Sequence, residues 1–592
     1  MNTSETVMYE WNTINWRKLE VNVFKLQKRI YCASECGDVK KVHRLQRLLL
    51  KSRDAALLAV RRVTQDNRGK HTAGMDGIAS LKDEERLELA ERVRQNPYET
   101  KTQPLRRVWI PKPGKTEKRP LGIPAMEDRA RQALIKLALE PEWEAKFEPN
   151  SYGFRPGRSC HDAIEAIYRQ VRLVPKWVLD ADIAGCFDRI DHEALLEKLG
   201  TFPKLRRVIR AWLKAGVFDE GNLSPTSAGT PQGGVISPLL ANIALHGLEA
   251  AVRDASPKTV YLKDEKRYVN GRPALIRYAD DFVVLHRNRK VIDDAYDTIA
   301  NWLSRMGLEM KPSKTRIVHT LEEHDGQVGF DFLGFHVRQY PRGRSSCIRI
   351  PKTGKPTGFT PSIRPSKASQ KQLLEKVAEI IRSHRAVSQV RLIRLLNPIL
   401  RGWGNYFSKA VSQDVFGRLD ALIFAKLKAW AYHRHQNKGR RWIMAKYWSF
   451  RTGHWVFGIA DKIKLLRLSD IPIKRHIGLR VVKSPYDGDW VYWSQRLGQY
   501  PHVPKSEAIR LRQQQGRCAC CGLNFCSEDQ MKLLHLDGDR KNFTRSNMAL
   551  VHERCVTTMK KRVKSHHNAE EPYEGKLSRT VLKTSTDREA RT

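Results

Sequence analysis

Apolar positions at three- and four-residue steps (Trp16, Leu19, Val23, Leu26, Ile30) predict helix from Trp16 to about Val63, with a heavily basic opposite face. The Gly-rich stretch HTAGMDGI that follows reads as a loop. From Leu105 the text changes to short apolar runs split by Pro and Gly, RRVWIPKPGKTEKRPLGIP, which predicts strand, basic loop, strand. Ala130, Leu134, Leu137 and Ala138 then space as a helix that Pro141 is expected to bound. Strand-like runs recur at Trp177–Asp182 (WVLDAD) and Ala274–Leu285 (ALIRYADDFVVL). After Pro351 comes a Pro/Gly/Lys-rich connector, then helical stripes at Leu373, Leu374, Val377, Ile380 and Ile381 and around Leu392–Leu400. The run QNKGRR marks a further boundary, beyond which Trp442, Tyr447, Trp448, Trp455 and Phe457 make the chain rich in aromatics.

Composition narrows the partner. At 592 residues the chain is long enough for three to five domains of roughly 100–200 residues each. Lys and Arg number 107 against 64 acids, a formal charge of +43. Such a field favours a polyanion. An apolar fraction of 41% supports packed cores and argues against a disordered basic protein. No apolar run approaches the roughly 18 residues of a membrane span, and the polar start MNTSETVMYE is unlike a signal peptide. The expectation is a soluble, intracellular, nucleic-acid-facing protein.

Two clusters carry chemistry. Asp280 and Asp281 sit together between apolar runs, which reads as a β-hairpin with two adjacent acids at its tip. Such neighbours repel, so a cation is needed to neutralise them. Asp182 ends another strand-like run and completes a set of three. Three carboxylates holding two Mg²⁺ suit in-line phosphoryl transfer. The second cluster is C-terminal: Cys518-x-x-Cys521 is followed by His552-x-x-Cys555, two knuckles of the kind that hold a tetrahedral Zn²⁺. Cys520 and Cys526 are possible substitutes that break the pairing, and the other five cysteines are scattered.

The blocks RPLGIP, DADIAGCFDRIDH, AGTPQGGVISPLLANIAL and YADD resemble, in this order, those of a reverse transcriptase. SYGFRPGRSCHDAI, GLEMKPSKTRIVH and FDFLGFHV make the resemblance one to the group II intron-encoded type. LNPILRGWGNYF resembles its maturase or X region, KYWSFRTGHWVF its DNA-binding region, and the cysteine window an HNH endonuclease domain.

The resemblance implies a multidomain α+β fold: a right-hand polymerase with fingers, an antiparallel palm and a helical thumb, plus small DNA-binding and zinc-binding ββα domains. The boundaries expected are a basic helical extension at 1–104, fingers and palm at 105–340, and thumb at 341–437. A DNA-binding domain at 438–510, an HNH-like zinc domain at 511–565 and a polar tail at 566–592 follow. Asp182, Asp280 and Asp281 would be the Mg²⁺ ligands, Phe187 the steric gate that selects dNTPs, and Gln232 the contact to sugar and template. Lys112 and Arg119 would grip the triphosphate, with Lys314 a lesser candidate for the same site. In the zinc domain His535 would be the nuclease base and Asn547 would hold local geometry. This chain departs from the HNH pattern by having Leu534 and Val556 where metal-binding histidines are usual. The implied function is RNA-directed DNA polymerase and splicing cofactor for its own intron RNA. Mobility would use target-primed reverse transcription into DNA, in bacterial cytoplasm or nucleoid or in an organelle, with no membrane partner. The competing readings are a splicing-only RNA-binding maturase and a domesticated or defence reverse transcriptase.

Overall fold

The computed structural model describes residues 10–111, 117–262, 266–343, 345–351, 353–451, 453–459, 462–480, 483–525, 529–537, 539, 542, 544 and 546–562. Lys112, Cys526 and the tail from 566 lie outside these described residues. The chain divides into two units, Met1–Asp487 and Gly488–Thr592.

In the first unit the expected N-terminal helix is three: Trp16–Glu35, Val39–Leu50 and Arg53–Arg61. Asn15, Asp38 and Ser52 cap them, each side chain accepting from the backbone N–H three residues on. These helices pack on Met126–Lys146, and here one expectation is corrected: Pro141 lies inside that helix and does not end it. Proline lacks the N–H that the Leu137 carbonyl would accept from. The buried Gln27 side chain donates to that carbonyl instead, at 2.9 Å, so the helix runs on to Lys146.

The centre of the unit is a four-stranded sheet in the order Arg316–His319, Trp177–Asp182, Asp281–His286, Ala274–Tyr278, antiparallel throughout. Both faces are covered. Leu179, Ala181, Phe282 and Val284 pack into a core shared with the N-terminal helices. Val178, Val283 and Leu285 join a second core with Cys160–Val171 and the long helices Lys367–Ser383, Gln389–Phe407 and Gln413–Arg434. Burial on two sides is why these strands read as nearly continuous apolar runs. A separate sheet pairs Leu105–Pro111 with Lys118–Ile123, the expected strand–loop–strand, and adds Val217–Asp219 and Asn222–Ser224.

The segment expected as a DNA-binding domain straddles the division between the units. Trp448 and Phe457, on the small sheet formed by Trp448–Arg451, His454–Ile459 and Ile463–Lys464, belong to the second core, as do Leu468 and Ile471. Trp490–Leu497 and Lys505–Gln513 fall in the second unit. That unit has a small core of Val491, Leu511, Phe525, Leu550 and Val551, a hairpin of Met531–His535 with Met548–His552, and helix over 556–562. Among the described residues no helix is long and apolar enough to cross a membrane.

Candidate active site

Strand register brings the acids together. Asp182 is the cross-strand partner of Asp281, and Tyr278 pairs with Asp281 across a two-residue turn made by Ala279 and Asp280. Period-two alternation puts Asp182 and Asp281 on the face that carries Val178, Val283 and Leu285. Burial, then the Asp280 and Asp182 charges, push the Asp281 carboxyl up to about 7. Burial also raises Asp280. The acids are strained against one another, which fits an all-oxygen site for a hard divalent cation such as Mg²⁺. A partial counter-charge is already present, since Lys314 Nζ contacts Asp182 Oδ2. Burial lowers the Lys314 ammonium, but its hydrogen bond to Asp182 and the pull of the three acids raise it overall. Two residues earlier on the same strand, Asp180 has its own partner in Arg316 at 2.9 Å.

The turn carrying Asp280 is pressed from below. Ala279 takes φ +58°, a left-handed conformation uncommon for a residue with a side chain. Gly153, of the SYGF run, lies so close that a Cβ there would come within 2.4 Å of the Ala279 nitrogen. Asn242 Nδ2 donates to the Gly153 carbonyl at 2.8 Å. The fully buried Arg277 donates from Nη1 to Asn242 Oδ1 at 3.1 Å and to the Ala279 carbonyl at 3.2 Å. Gly153, Asn242 and Arg277 form a polar cradle that sequence reasoning missed. Its signal was present in the quoted blocks, but spacing along a chain does not show that three blocks converge on one turn.

A cleft of about 360 Å³ has walls that include Arg107, Trp109, Phe187, Asp188 and Gln232, and Phe187 follows Asp182 by five residues. Phe187 meets Phe154 edge-on, ring centroids 6.1 Å apart. Gln232 Nε2 donates to both Asp188 oxygens, at 3.2 and 3.1 Å. Gly233 adopts φ +116° and a Cβ there would meet the Gly122 carbonyl at 2.7 Å, so only glycine fits the PQGG turn. Gly122 N–H donates to the Gln232 carbonyl, which ties this turn to the Lys118–Ile123 strand. Arg119, on the same strand, is exposed and its charge acts on Asp280. Lys112 falls outside the described residues.

In the second unit the ligand atoms of Cys518, Cys521, His552 and Cys555 all lie within 4.8 Å of one another. Burial pushes the Cys518 thiol up, but backbone donors from Cys521, His552 and Cys520 bring it down to about 6. Burial and the other thiols push Cys555 up to about 12. Sulfurs crowded this closely fit a shared cation, and a three-thiol, one-imidazole set suits Zn²⁺. His552 turns Nδ1 toward Cys521, at 3.3 Å, while Nε2 lies 3.2 Å from Asp529, an orientation typical of ligating histidines. His535 ends the hairpin strand with Nδ1 3.2 Å from the Asn542 carbonyl. Asn547 is buried and holds the intervening loop, accepting from Asp537 N–H and donating to the Asn542 carbonyl.

Comparison with known proteins agrees with this geometry. Residues 110–337 match the reverse transcriptase (RNA-dependent DNA polymerase) family, 11–93 the N-terminal domain of reverse transcriptase, and 370–448 the group II intron maturase-specific domain. Protein YkfC of Escherichia coli K12 is 33% identical over 360 residues, 56% of this chain and 92% of that protein. The group II intron-encoded protein LtrA of Lactococcus lactis is 39% identical over 191 residues, 31% of each chain. Maturase-like protein 1 of Euglena gracilis is 26% identical over 430 residues, 72% of this chain and 82% of that one. The chain belongs to the family of RNA-directed DNA polymerases, the reverse transcriptases, that carry a group II intron maturase domain. It joins reverse transcriptase and maturase in one polypeptide.

Proposed function

We propose that this protein binds its own intron RNA, assists its splicing, and copies the intron into DNA by target-primed reverse transcription from a nicked target strand. The observation that carries the reading is the apposition of Asp182, Asp280 and Asp281 at one end of an antiparallel sheet, in a chain of this family. That sheet would be the palm, the Leu105–Pro111 and Lys118–Ile123 hairpin part of the fingers, and the helices from Lys367 to Arg434 the thumb. Mg²⁺ held by the three acids would supply Lewis-acid charge for phosphoryl transfer. The chain's own residues do the positioning. Phe187 walls the sugar end of the cleft, Gln232 is oriented by Asp188 toward the incoming nucleotide and template, and Arg119 offers charge to the triphosphate. Lys112 belongs with Arg119 in this role by sequence.

The chain's net charge of +43 would favour binding phosphates without reading sequence, and binding would weaken steeply with salt. The exposed cross-strand pair Phe450 and Trp455 supports nucleic-acid contact in the segment after the thumb. In the second unit one Zn²⁺ held by Cys518, Cys521, His552 and Cys555 would be structural. His535 alone would leave HNH-type cleavage weak or absent, since Leu534 and Val556 offer no lone pair to a metal. Asp280→Ala and Asp281→Ala test the assignment. DNA synthesis on a primed RNA template should fall by orders of magnitude while intron splicing persists. Primer extension at the wild-type rate would refute it.

A further inference from the structure

One element is absorbed by none of the roles above. Between the helix Leu248–Ala255 and the strand Ala274–Tyr278 the chain makes a separate two-stranded hairpin, Thr259–Leu262 with Arg267–Asn270. Its alternation is clean. Val260, Leu262 and Val269 are half-buried, while Thr259, Tyr261, Tyr268 and Asn270 face water. Tyr261 and Tyr268 are direct cross-strand partners. Their rings lie 5.1 Å apart, tilted by 58°, and are 46% and 72% exposed.

Two aromatic side chains on the solvent face of a small ribbon need a reason. A cross-strand pair contributes some stability to an otherwise marginal hairpin. That accounts for rings in contact, but most of the Tyr268 surface remains in water. Charge supplies the second observation. Residues 256–273 carry five Lys or Arg against two acids, and Lys258, Lys266 and Arg272 are exposed. Aromatic faces set among cations are the chemistry of a base-stacking platform for single-stranded nucleic acid, because every base has a π-face and each linkage a phosphate.

Position separates this platform from the polymerase site. The hairpin joins the far end of the acid-bearing strands, where His286 Nε2 lies 2.8 Å from the Asn270 carbonyl. His286 is five residues from Asp281 along one strand, roughly 17 Å at the usual rise. A strand stacked here is therefore not the primer end at the acids. We infer that Tyr261 and Tyr268 form an accessory site that stacks an unpaired base of single-stranded RNA, with Lys258 and Lys266 at its phosphates.

The test is photocrosslinking of the full-length protein to a single-stranded oligouridylate carrying 5-iodouridine, followed by tryptic mapping. Trypsin leaves Tyr268 in the peptide Tyr268–Arg277, because Pro273 blocks cleavage after Arg272. An adduct on this peptide is expected. Its yield at limiting RNA should fall roughly five- to a hundredfold in Tyr268→Ala, the range for loss of one stacked base. Tyr268→Phe, which keeps the ring and the hairpin pairing, should retain it, and Tyr268→Leu should not. All three variants should extend a preformed primer on its template at the wild-type rate. Adducts confined to other peptides overturn the inference, as does equal labelling by duplex RNA of the same sequence. Leu serving as well as Phe would show that the position is merely apolar. Asp280→Ala should leave the adduct unchanged, so the platform stands or falls apart from the polymerase assignment.

Discussion

Gly153 lies against the peptide nitrogen of Ala279, and a Cβ at Gly153 would sit 2.4 Å from it and 3.0 Å from the Tyr278 carbonyl carbon. Both neighbours are backbone, so a flexible side chain cannot yield. Gly153→Ala should move the turn that presents Asp280 while leaving the surrounding core in place. A displacement near 1 Å costs about a hundredfold in rate when it separates catalytic groups. The expected outcome is primer extension reduced by about that factor with unchanged RNA affinity, read by steady-state kinetics beside filter binding. A fully active Gly153→Ala protein would show that the turn does not depend on this contact.

The strands and their acids were legible because hydrophobic runs set both the sheet and its register. What converges on the turn was not. Arg277, Asn242 and Gly153 come from three separate blocks, and Arg277 in particular reads as an ordinary basic residue until its burial is seen. Lys314 is similar: its place beside Asp182 depends on the strand Arg316–His319 lying next to Trp177–Asp182, a pairing between residues more than a hundred positions apart. The clustering of Cys518, Cys521, His552 and Cys555 was legible for the opposite reason, since knuckle spacing is local.

The misread end of a helix gives a second prediction. Pro141 deprives the Leu137 carbonyl of its intrahelical donor, and Gln27 replaces that donor from another helix. A stop signal in one segment is cancelled by a side chain more than a hundred residues earlier, and no local pattern contains that information. Gln27→Leu keeps the apolar fit and strips the hydrogen bond. A buried acceptor left unpaired costs about 1–3 kcal/mol. The urea midpoint of the first unit should fall accordingly, and an unchanged midpoint would mean that water reaches the carbonyl.

His246 provides the pH dependence. It packs against the rings of Trp143 and Phe147 at 5.7 and 5.9 Å. Burial, then the charges of Lys198, Arg277, Arg155 and Lys146, push the imidazole down to about 4. Glu148, 3.9 Å away, favours the charged ring but is outweighed. The native state therefore takes up this proton later than the unfolded chain, whose histidine titrates near 6.5. The contribution is complete above that pH and is lost as pH falls toward 4, in total about 3 kcal/mol. His246→Gln should flatten the stability profile between these limits, measured by denaturant titration at successive pH values. A profile with the wild-type slope would place the acid sensitivity elsewhere.

Zinc removal should separate the two units. The second has few buried apolar residues of its own, chiefly Val491, Leu511, Phe525, Leu550 and Val551, and its four candidate ligands sit at the ends of the elements that this core must hold together. A small core of this kind leans on its metal, and the free energy of binding is then folding free energy. Cys518 and Cys521 flank a tight turn, Gly522 N–H donating to the Cys518 carbonyl at 3.0 Å, while His552 and Cys555 end the hairpin and open the following helix. Cys521→Ser, or a chelator, should therefore abolish one equivalent of zinc by elemental analysis and render the chain after Gly488 protease-sensitive. The first unit, with its two large cores, should stay folded and continue to extend primers. Because thiols must lose protons to bind, retention of zinc should weaken as the solution is acidified. A purified protein free of zinc yet protease-resistant through residue 562 would show that hydrogen bonds alone hold the cluster.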